Sequence, residues 1–347
     1  MAQRARLPRA RSAPNFASVK PWLLLPPKFA HDLSPLGLQL LTAFREARPE
    51  KWRPLIWRGL HFENRLGIAG GVDKDGALIE NWWSLGVGFV EIGTVTPKAQ
   101  GPNDGKIIDR DPATGSLWNR MGFPGKGIAI VRENLRDLPL DRATPVFVNI
   151  GKNRTTPNED AAKDYVTCMR EIGDLADAFV INISSPNTTG LRDLFKPQNF
   201  EPFLQEILQA RNELTSAPPL LLKLSPDLED EDLENVVRAA VRLKLDGFIA
   251  TNTTLARTPA MHYPKEGGVS GKPLAQQSKE VLKKLIGLLG PDRPGKLIIS
   301  VGGVMTPEDV MERLTLGADL VQVYTALIYE GPFFFSRVAR HANENPL

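Results

Sequence analysis

The sequence predicts an α/β fold: a parallel (β/α)8 TIM barrel with a small N-terminal helical extension. Three observations carry that expectation. Short apolar, β-branched runs alternate with amphipathic stretches from about residue 65 onward. There are eight such runs, the number that closes a barrel of this kind. Nearly every run ends in a glycine or a hydrogen-bonding side chain, so polar groups gather at one end of the sheet.

The extension comes first in the chain. Residues 1–31 hold six basic residues, Arg4, Arg6, Arg9, Arg11, Lys20 and Lys28, and no Asp or Glu. The remainder carries 37 basic against 40 acidic residues, so the basic excess is local and argues against a nucleic-acid surface. Residues 1–18 are expected to be a disordered basic tail, and the acid-free first sixteen also suit a transit segment. Residues 19–50 are expected to form an amphipathic helical segment. The run Trp22–Leu25 is stopped by Pro26-Pro27, and Ser34 with Pro35 reads as a helix cap followed by the first helical residue. Leu33, Leu36, Leu40, Phe44 and Ala47 then share a face, widened by Leu38 and Leu41. Such a face either packs on its own domain or lies on a membrane surface. No apolar run approaches the ~20 residues that span a bilayer.

Residues 51–347 supply the barrel. The strand runs are 66–72, 89–95, 145–151, 178–184, 220–226, 247–254, 296–303 and 320–327. Helical periodicity fills Asp160–Leu175, Phe200–Leu214, Asp230–Leu243 and Pro307–Leu316. Strand, helix, strand with right-handed crossovers closes into a barrel. An open doubly wound sheet usually carries a GxGxxG turn after its first strand, and GGVDKDG (70–76) does not match it. The single cysteine, Cys168, excludes an internal disulfide framework and a Cys-rich zinc site. Four histidines without ligand spacing make a transition-metal centre unexpected, so no metal is assigned. Cys168 has apolar neighbours at helical spacing and reads as a core residue.

The strand ends read Lys74, Thr94, Asn149, Asn182 to Asn187, Lys223, Thr251 to Thr253, Gly302-Gly303 and Tyr324-Thr325. Barrel chemistry sits at this face. Gly302-Gly303 lets backbone N–H groups approach an anion, Thr325 adds a hydroxyl, and barrels often hold phosphate between the seventh and eighth loops. Lys223 places a cation over the mouth, unless it pairs with Asp227. A phosphate site, a central cation and a ring of amides suit a phosphorylated planar cofactor such as FMN, where a lysine near the pyrimidine end stabilises charge on the reduced ring.

Nine motifs then occur in order: GGVDKDG, EIGTVTP, NRMGF, NIGKN, INISSPNT, KLSPD, ATNTT, GGVSGKPL and VQVYTAL. From about residue 30 to about residue 340 the chain closely resembles the dihydroorotate dehydrogenases of the membrane-associated, quinone-reducing class. The resemblance implies oxidation of (S)-dihydroorotate to orotate in pyrimidine biosynthesis, with hydride passing to FMN and electrons to a membrane quinone, ubiquinone or menaquinone. It places the base at Ser185, in the serine position that assigns this class, and leaves Ser184 structural. It assigns substrate contacts to Lys74, Asn182, Asn187, Asn252 and Thr253, and to Asn119, Arg120, Met121, Gly122 and Phe123 of NRMGF. It assigns cofactor contacts to Gly70, Gly71, Val72, Asp73, Lys74, Thr94 and Asn149, and further to Asn182, Lys223, Thr251, Gly271, Gly303, Tyr324 and Thr325. A pair of N-terminal helices would form a lipid-facing quinone tunnel, with Arg110 as its arginine. The expected location is the phospholipid surface on the cytoplasmic face of a bacterial cell membrane, with the mitochondrial inner membrane as the alternative. Two departures stand out: Thr189 where the family often has proline, and Asp109 where it usually has an aromatic residue. A flavin barrel acting on another cyclic amide, or an idle membrane-surface scaffold, would not call for the amide ring, the Ser185 turn and the intact glycine loop together.

Overall fold

A computed structural model of the chain describes residues 20–45, 50–139 and 142–345. The expected basic tail and Ala47 lie outside the described residues. Eight parallel strands close into a barrel in chain order. They are β1 Leu66–Asp73, β2 Phe89–Val95, β3 Val146–Ile150, β4 Ala178–Ile181, β5 Leu220–Lys223, β6 Gly247–Ala250, β7 Leu297–Val301 and β8 Leu320–Val323. Seven fall within the runs that the sequence marks, and β1 runs one residue past its own, to Asp73. The four helices that the sequence marks are Ala161–Ile172, Pro197–Asn212, Asp230–Arg242 and Pro307–Thr315. Thr306 closes a capping box with Asp309 at the start of the last of these.

Both faces of each barrel strand are buried, so the runs are nearly continuous in apolar residues; the period of two shows only in which core each side chain enters. On β4, Ala178 and Val180 point into the barrel while Phe179 and Ile181 point to the helices. The same alternation sends Phe89, Phe147, Leu221, Ile249, Leu297, Ile299 and Leu320 inward. Continuing it by two residues puts Glu91 after Phe89, Asn149 after Phe147, Lys223 after Leu221 and Gln322 after Leu320. The interior therefore changes from apolar to polar in one layer.

The apolar end is plugged by a hairpin, Leu55–Trp57 paired with Leu60–Phe62. Phe62 meets Phe89 and Phe147 edge-on, with ring centroids 5.9 and 6.1 Å away. At the polar end lies a three-stranded antiparallel sheet of Ile108–Asp111, Ser116–Asn119 and Gly268–Gly271. Trp118 anchors it, fully buried, its indole N–H donating to the Glu266 carbonyl at 2.8 Å.

The N-terminal segment departs from the expectation in two ways. Its helix runs Pro27–Thr42, so Pro35 lies inside it instead of opening it. The Pro26-Pro27 step does the opening, with a proline at the first helical position where a missing N–H is harmless. Pro35 leaves the His31 carbonyl without its helical donor, and the Ser34 hydroxyl donates to that carbonyl at 2.8 Å. Instead of a pair of helices, the described residues of this segment, 20–45 and 50, hold one 3-10 turn, Pro21–Leu24, and this single helix. Leu38 is buried against the barrel, while Phe29, Leu33, Leu36, Leu40 and Phe44 are exposed. No helix among the described residues is long and apolar enough to cross a membrane. Cys168 is buried in the core, as its neighbours indicate, and burial pushes its thiol far up.

Because Phe62 fills the end opposite the strand termini, Phe62→Ala should cost about 3–5 kcal/mol of stability, the usual loss for a buried phenylalanine. Ligand affinity at the far end should stay as it was. Chemical denaturation beside ligand titration checks both, and unaltered stability would show that the plug does not hold the barrel closed.

Candidate active site

At the C-terminal ends of the strands opens a cavity of about 990 Å³, mouth included. Its floor is the polar layer. The Glu91 carboxylate, fully buried, accepts from Lys223 Nζ at 2.9 Å, Asn149 Nδ2 at 2.6 Å and Gln322 Nε2 at 2.6 Å. Lys223 therefore pairs with Glu91 and not with Asp227, which takes Arg192 at 2.9 Å. From this floor a chain of bonds climbs one wall. Thr94 Oγ1 donates to Asn149 Oδ1 at 2.6 Å, and Asn182 Nδ2 donates to Thr94 Oγ1 at 2.9 Å. Asn182 Oδ1 accepts from Ser184 Oγ at 3.2 Å, and Asn252 Nδ2 donates to the same Ser184 Oγ at 3.0 Å. The amides are thus held in fixed orientations before any ligand arrives.

Ser185 sits on the cavity wall, 5% exposed. Its Oγ accepts from the Asn187 amide at 3.2 Å, and Pro186 lies between them in a tight turn. Asn187 Nδ2 donates to Asn119 Oδ1 at 2.9 Å, joining this turn to the accessory sheet. Three buried polar atoms at or near the cavity have no hydrogen-bond partner among the described residues: Asn187 Oδ1, Gln322 Oε1 and Thr188 Oγ1. Asn187 and Gln322 line the cavity, so their free oxygens are acceptors offered to a ligand.

On the opposite side the wall is backbone. Gly302 and Gly303 have φ of 110° and 71°, and a Cβ at Gly303 would lie 2.2 Å from Ala275 Cα, so only glycine fits. A Cβ at Gly70 would meet Glu91 Oε1 at 2.4 Å. Thr325 Oγ1 lies 2.8 Å from Ser270 Oγ beside the glycine loop. A cradle of glycine backbone and hydroxyls, a cation on the floor and orphaned oxygens fit a phosphorylated ring cofactor.

The cavity wall brings together Gly70, Gly71, Lys74, Thr94, Asn119, Met121, Gly122 and Phe123, and also Asn182, Ser185, Asn187, Lys223, Thr251, Asn252, Thr253, Gly303, Tyr324 and Thr325. Six expected residues are not on that wall. Asn149 lies one layer below, on Glu91. Asp73 turns its carboxylate to the Ala77 and Leu78 amides, and burial holds its pKa up at about 6. Val72 packs against the outer core, and Gly271 sits behind the wall with its missing Cβ facing Gly115 and Thr325. Arg120 reaches outward to Glu266 at 2.7 Å and to the Asp104 carbonyl at 2.6 Å. Arg110 donates to the carbonyls of Trp22, Leu23 and Leu25 at 3.1, 2.8 and 2.5 Å, gripping the N-terminal turn, while its neighbour Asp109 pairs with Lys106.

Sequence reasoning missed Glu91, Gln322 and His31. Glu91 carried a readable signal, a lone charge in the apolar strand FVEIGTV, and Gln322 a weaker one in LVQV. His31 carried none; only the fold brings its Nε2 to 3.4 Å from Lys74 Nζ.

Comparison with known proteins places these features. A family model described as dihydroorotate dehydrogenase matches residues 56–345. The dihydroorotate dehydrogenase (quinone) of Deinococcus radiodurans is 46% identical over 277 residues, covering 78% of this chain and 74% of the relative. That of Deinococcus deserti is 40% identical over 340 residues, covering 93% and 92%. The crystal structure of DHODH in complex with ferulenol from Eimeria tenella superposes with a TM-score of 0.80 at 32% identity, covering 90% of each chain. The barrel and its mouth are those of a flavin-dependent oxidoreductase. Within that class, the chain belongs to the dihydroorotate dehydrogenase family, in its quinone-dependent branch, whose members oxidise dihydroorotate in pyrimidine biosynthesis.

The burial of His31, with Lys74 beside it, predicts that the docking of the N-terminal helix depends on pH. Burial, reinforced by the Lys74 ammonium, pushes His31 from its ordinary 6.5 down to about 4. Lys74 is itself lowered, chiefly by burial, against the pull of Asp73, Asp75 and Asp32. A docked His31 binds fewer protons than a released one, so docking is strongest above about pH 6.5 and weakens as pH falls toward about 4. The full loss is about 3 kcal/mol. Hydrogen exchange across residues 27–42, corrected for intrinsic rates, should show protection falling from pH 7 to about 4.5. His31→Gln should abolish that dependence, and constant protection in the unaltered protein would exclude the linkage.

Proposed function

We propose that this chain oxidises dihydroorotate with FMN as the bound flavin, Ser185 as the base and a membrane quinone as the acceptor. The family supports the reaction, and one observation carries the assignment of roles. Ser185, the amides of Asn119, Asn182, Asn187 and Asn252, and Lys223, held from beneath by Glu91, line one cavity from different parts of the barrel mouth. FMN, when bound, supplies the hydride acceptor and passes the electrons on to quinone. The Gly302-Gly303 backbone and Thr325 would hold its phosphate, and Lys223 with Gln322 would meet its ring. Asn119, Asn182, Asn187 and Asn252 would recognise the carboxylate and ring amides of dihydroorotate, because their donors and acceptors are already oriented. Lys74 adds a cation at the same mouth.

Ser185 must take a proton from a ring carbon. No carboxylate or imidazole bonds its hydroxyl among the described residues, so the proton has to leave through water or a neighbouring hydroxyl. The Asn187 amide donates to Ser185 Oγ and fixes its position, and near-complete burial keeps bulk water from competing. Ser185→Ala should leave FMN and orotate binding nearly unchanged and slow flavin reduction by about 10²–10⁴. Rapid-mixing absorbance measures this, and reduction at the wild-type rate would remove Ser185 from the role.

The exposed leucines and phenylalanines of the N-terminal helix support a second part of the reading, a lipid-facing surface that admits quinone. The Arg4–Lys28 basic residues would add attraction to anionic lipid on the cytoplasmic face of a bacterial membrane. Leu36→Glu with Leu40→Glu alters only exposed positions. The pair should abolish liposome binding and slow reoxidation by a long-tailed quinone, with reduction by dihydroorotate unaffected. Equal turnover of such a quinone by variant and wild type would end the tunnel reading.

A further inference from the structure

Arg313 is the least explained charge in the barrel. It lies in the helix Pro307–Thr315 and is 1% exposed. Its Nη1 donates to Ser300 Oγ at 3.1 Å. Its Nη2 donates to the carbonyls of Ala275 and Gly302 at 3.0 and 2.9 Å and to Ser278 Oγ at 2.9 Å. Every one of these acceptors is neutral, and Nε has no partner among the described residues. A buried guanidinium without a bonded carboxylate is costly; Glu312 and Asp309 on the same helix attract this one without bonding it, and burial outweighs them. Although burial lowers its pKa to about 10, the group stays protonated at neutral pH.

The Gly302 carbonyl shows where that charge is felt. A trans peptide sets C=O and the following N–H in opposite directions, so a cation on the Gly302 oxygen polarises the Gly303 N–H on the far side. The Gly303 amide has no acceptor in the protein among the described residues, and Gly303 lines the cavity. The Ser278 hydroxyl donates to the same Gly302 oxygen at 2.7 Å and strengthens the effect.

We propose that Arg313 is a positioning residue for an anionic phosphate: it never touches the ligand, and it acts through the Gly302–Gly303 peptide by fixing the loop and charging its outward N–H. The inference rests on the reading that the glycine loop holds the phosphate of FMN. A purely structural arginine, stapling the Ala275 helix start to the loop, is the alternative, and the two differ in what they do to a flavin that lacks phosphate.

The test titrates full-length, deflavinated protein with FMN and with riboflavin, following flavin fluorescence. Arg313→Met should weaken FMN about tenfold or more, the scale of one lost charge-assisted bond, and leave riboflavin nearly unchanged. Arg313→Lys should restore most of the FMN preference. Equal weakening of both flavins, or of neither, would overturn the proposal. If Arg313→Met does not fold, Arg313→Gln and the unaltered holoenzyme decide. The 31P resonance of FMN in the unaltered protein should show a dianion that does not titrate near its ordinary pKa of about 6. Titration at about 6 in the unaltered protein also overturns the proposal. Failure of the unaltered protein to prefer FMN over riboflavin would instead sink the cofactor assignment.

Discussion

One carboxylate organises the mouth of this barrel. Glu91 is fully buried, and three strands besides its own point a donor at it: Asn149 from β3, Lys223 from β5 and Gln322 from β8. A buried ion pair is weak evidence for stability, because desolvation offsets much of the attraction, but breaking one partner leaves a stranded charge. The arrangement is therefore all or nothing. With Glu91 in place, Lys223 is held upright as a cation at the floor, and Asn149 is oriented so that its oxygen faces Thr94 and Asn182. The amide ladder on the wall takes its direction from there. A carboxylate cannot donate, so it decides which end of Asn149 and of Gln322 faces it, and Gln322 is left with its oxygen free.

That layer was half legible in the sequence. Strand positions could be found from apolar runs, and the polar ends of those runs pointed to the site. Assigning the inward face needs the parity of each strand, and runs buried on both sides hide it. Only a polar residue within the run betrays the inward face, as Glu91 and Gln322 do. The accessory sheet was less legible still, because Asn119 and Ser270 reach the cavity from insertions whose pairing joins residues about 150 positions apart. Its motifs could be named by family likeness, but the register of Asn119 opposite Gly268 follows from tertiary packing.

The N-terminal helix shows where local signals mislead. Ser34-Pro35 has the form of a helix start, and so does Pro26-Pro27. The earlier start won because its proline sits where no N–H is needed, while Ser34 repairs the one carbonyl that Pro35 orphans. The gain from starting early is eight more residues of helix, and among them is His31. Those residues carry the helix over Lys74, and Arg110 secures the turn before it. The extension is tied to the barrel by polar contacts and by Leu38 and Leu41 on its inner side, and presents the rest of its large apolar side chains outward. A helix packed only on its own core would not leave Phe29, Leu33, Leu36 and Leu40 exposed.

The division of labour between the two adjacent serines follows from strand geometry. Alternation along β4 carries Val180 and Asn182 inward, Ile181 and Ile183 outward, and brings Ser184 inward again. Ser184 is then deep, with no exposed surface, its proton given to Asn182 and one lone pair taken by Asn252. Its proton is committed, and the residue does not line the cavity. The strand itself ends at Ile181, so alternation does not bind the next residue, and the turn at Pro186-Asn187 carries the chain along the mouth. Ser185 therefore faces the cavity from above with one amide on its oxygen and its proton uncommitted. A hydroxyl that holds the architecture and a hydroxyl free to react stand side by side here, and what divides them is that Asn182 and Asn252 engage the first while the Asn187 N–H only positions the second.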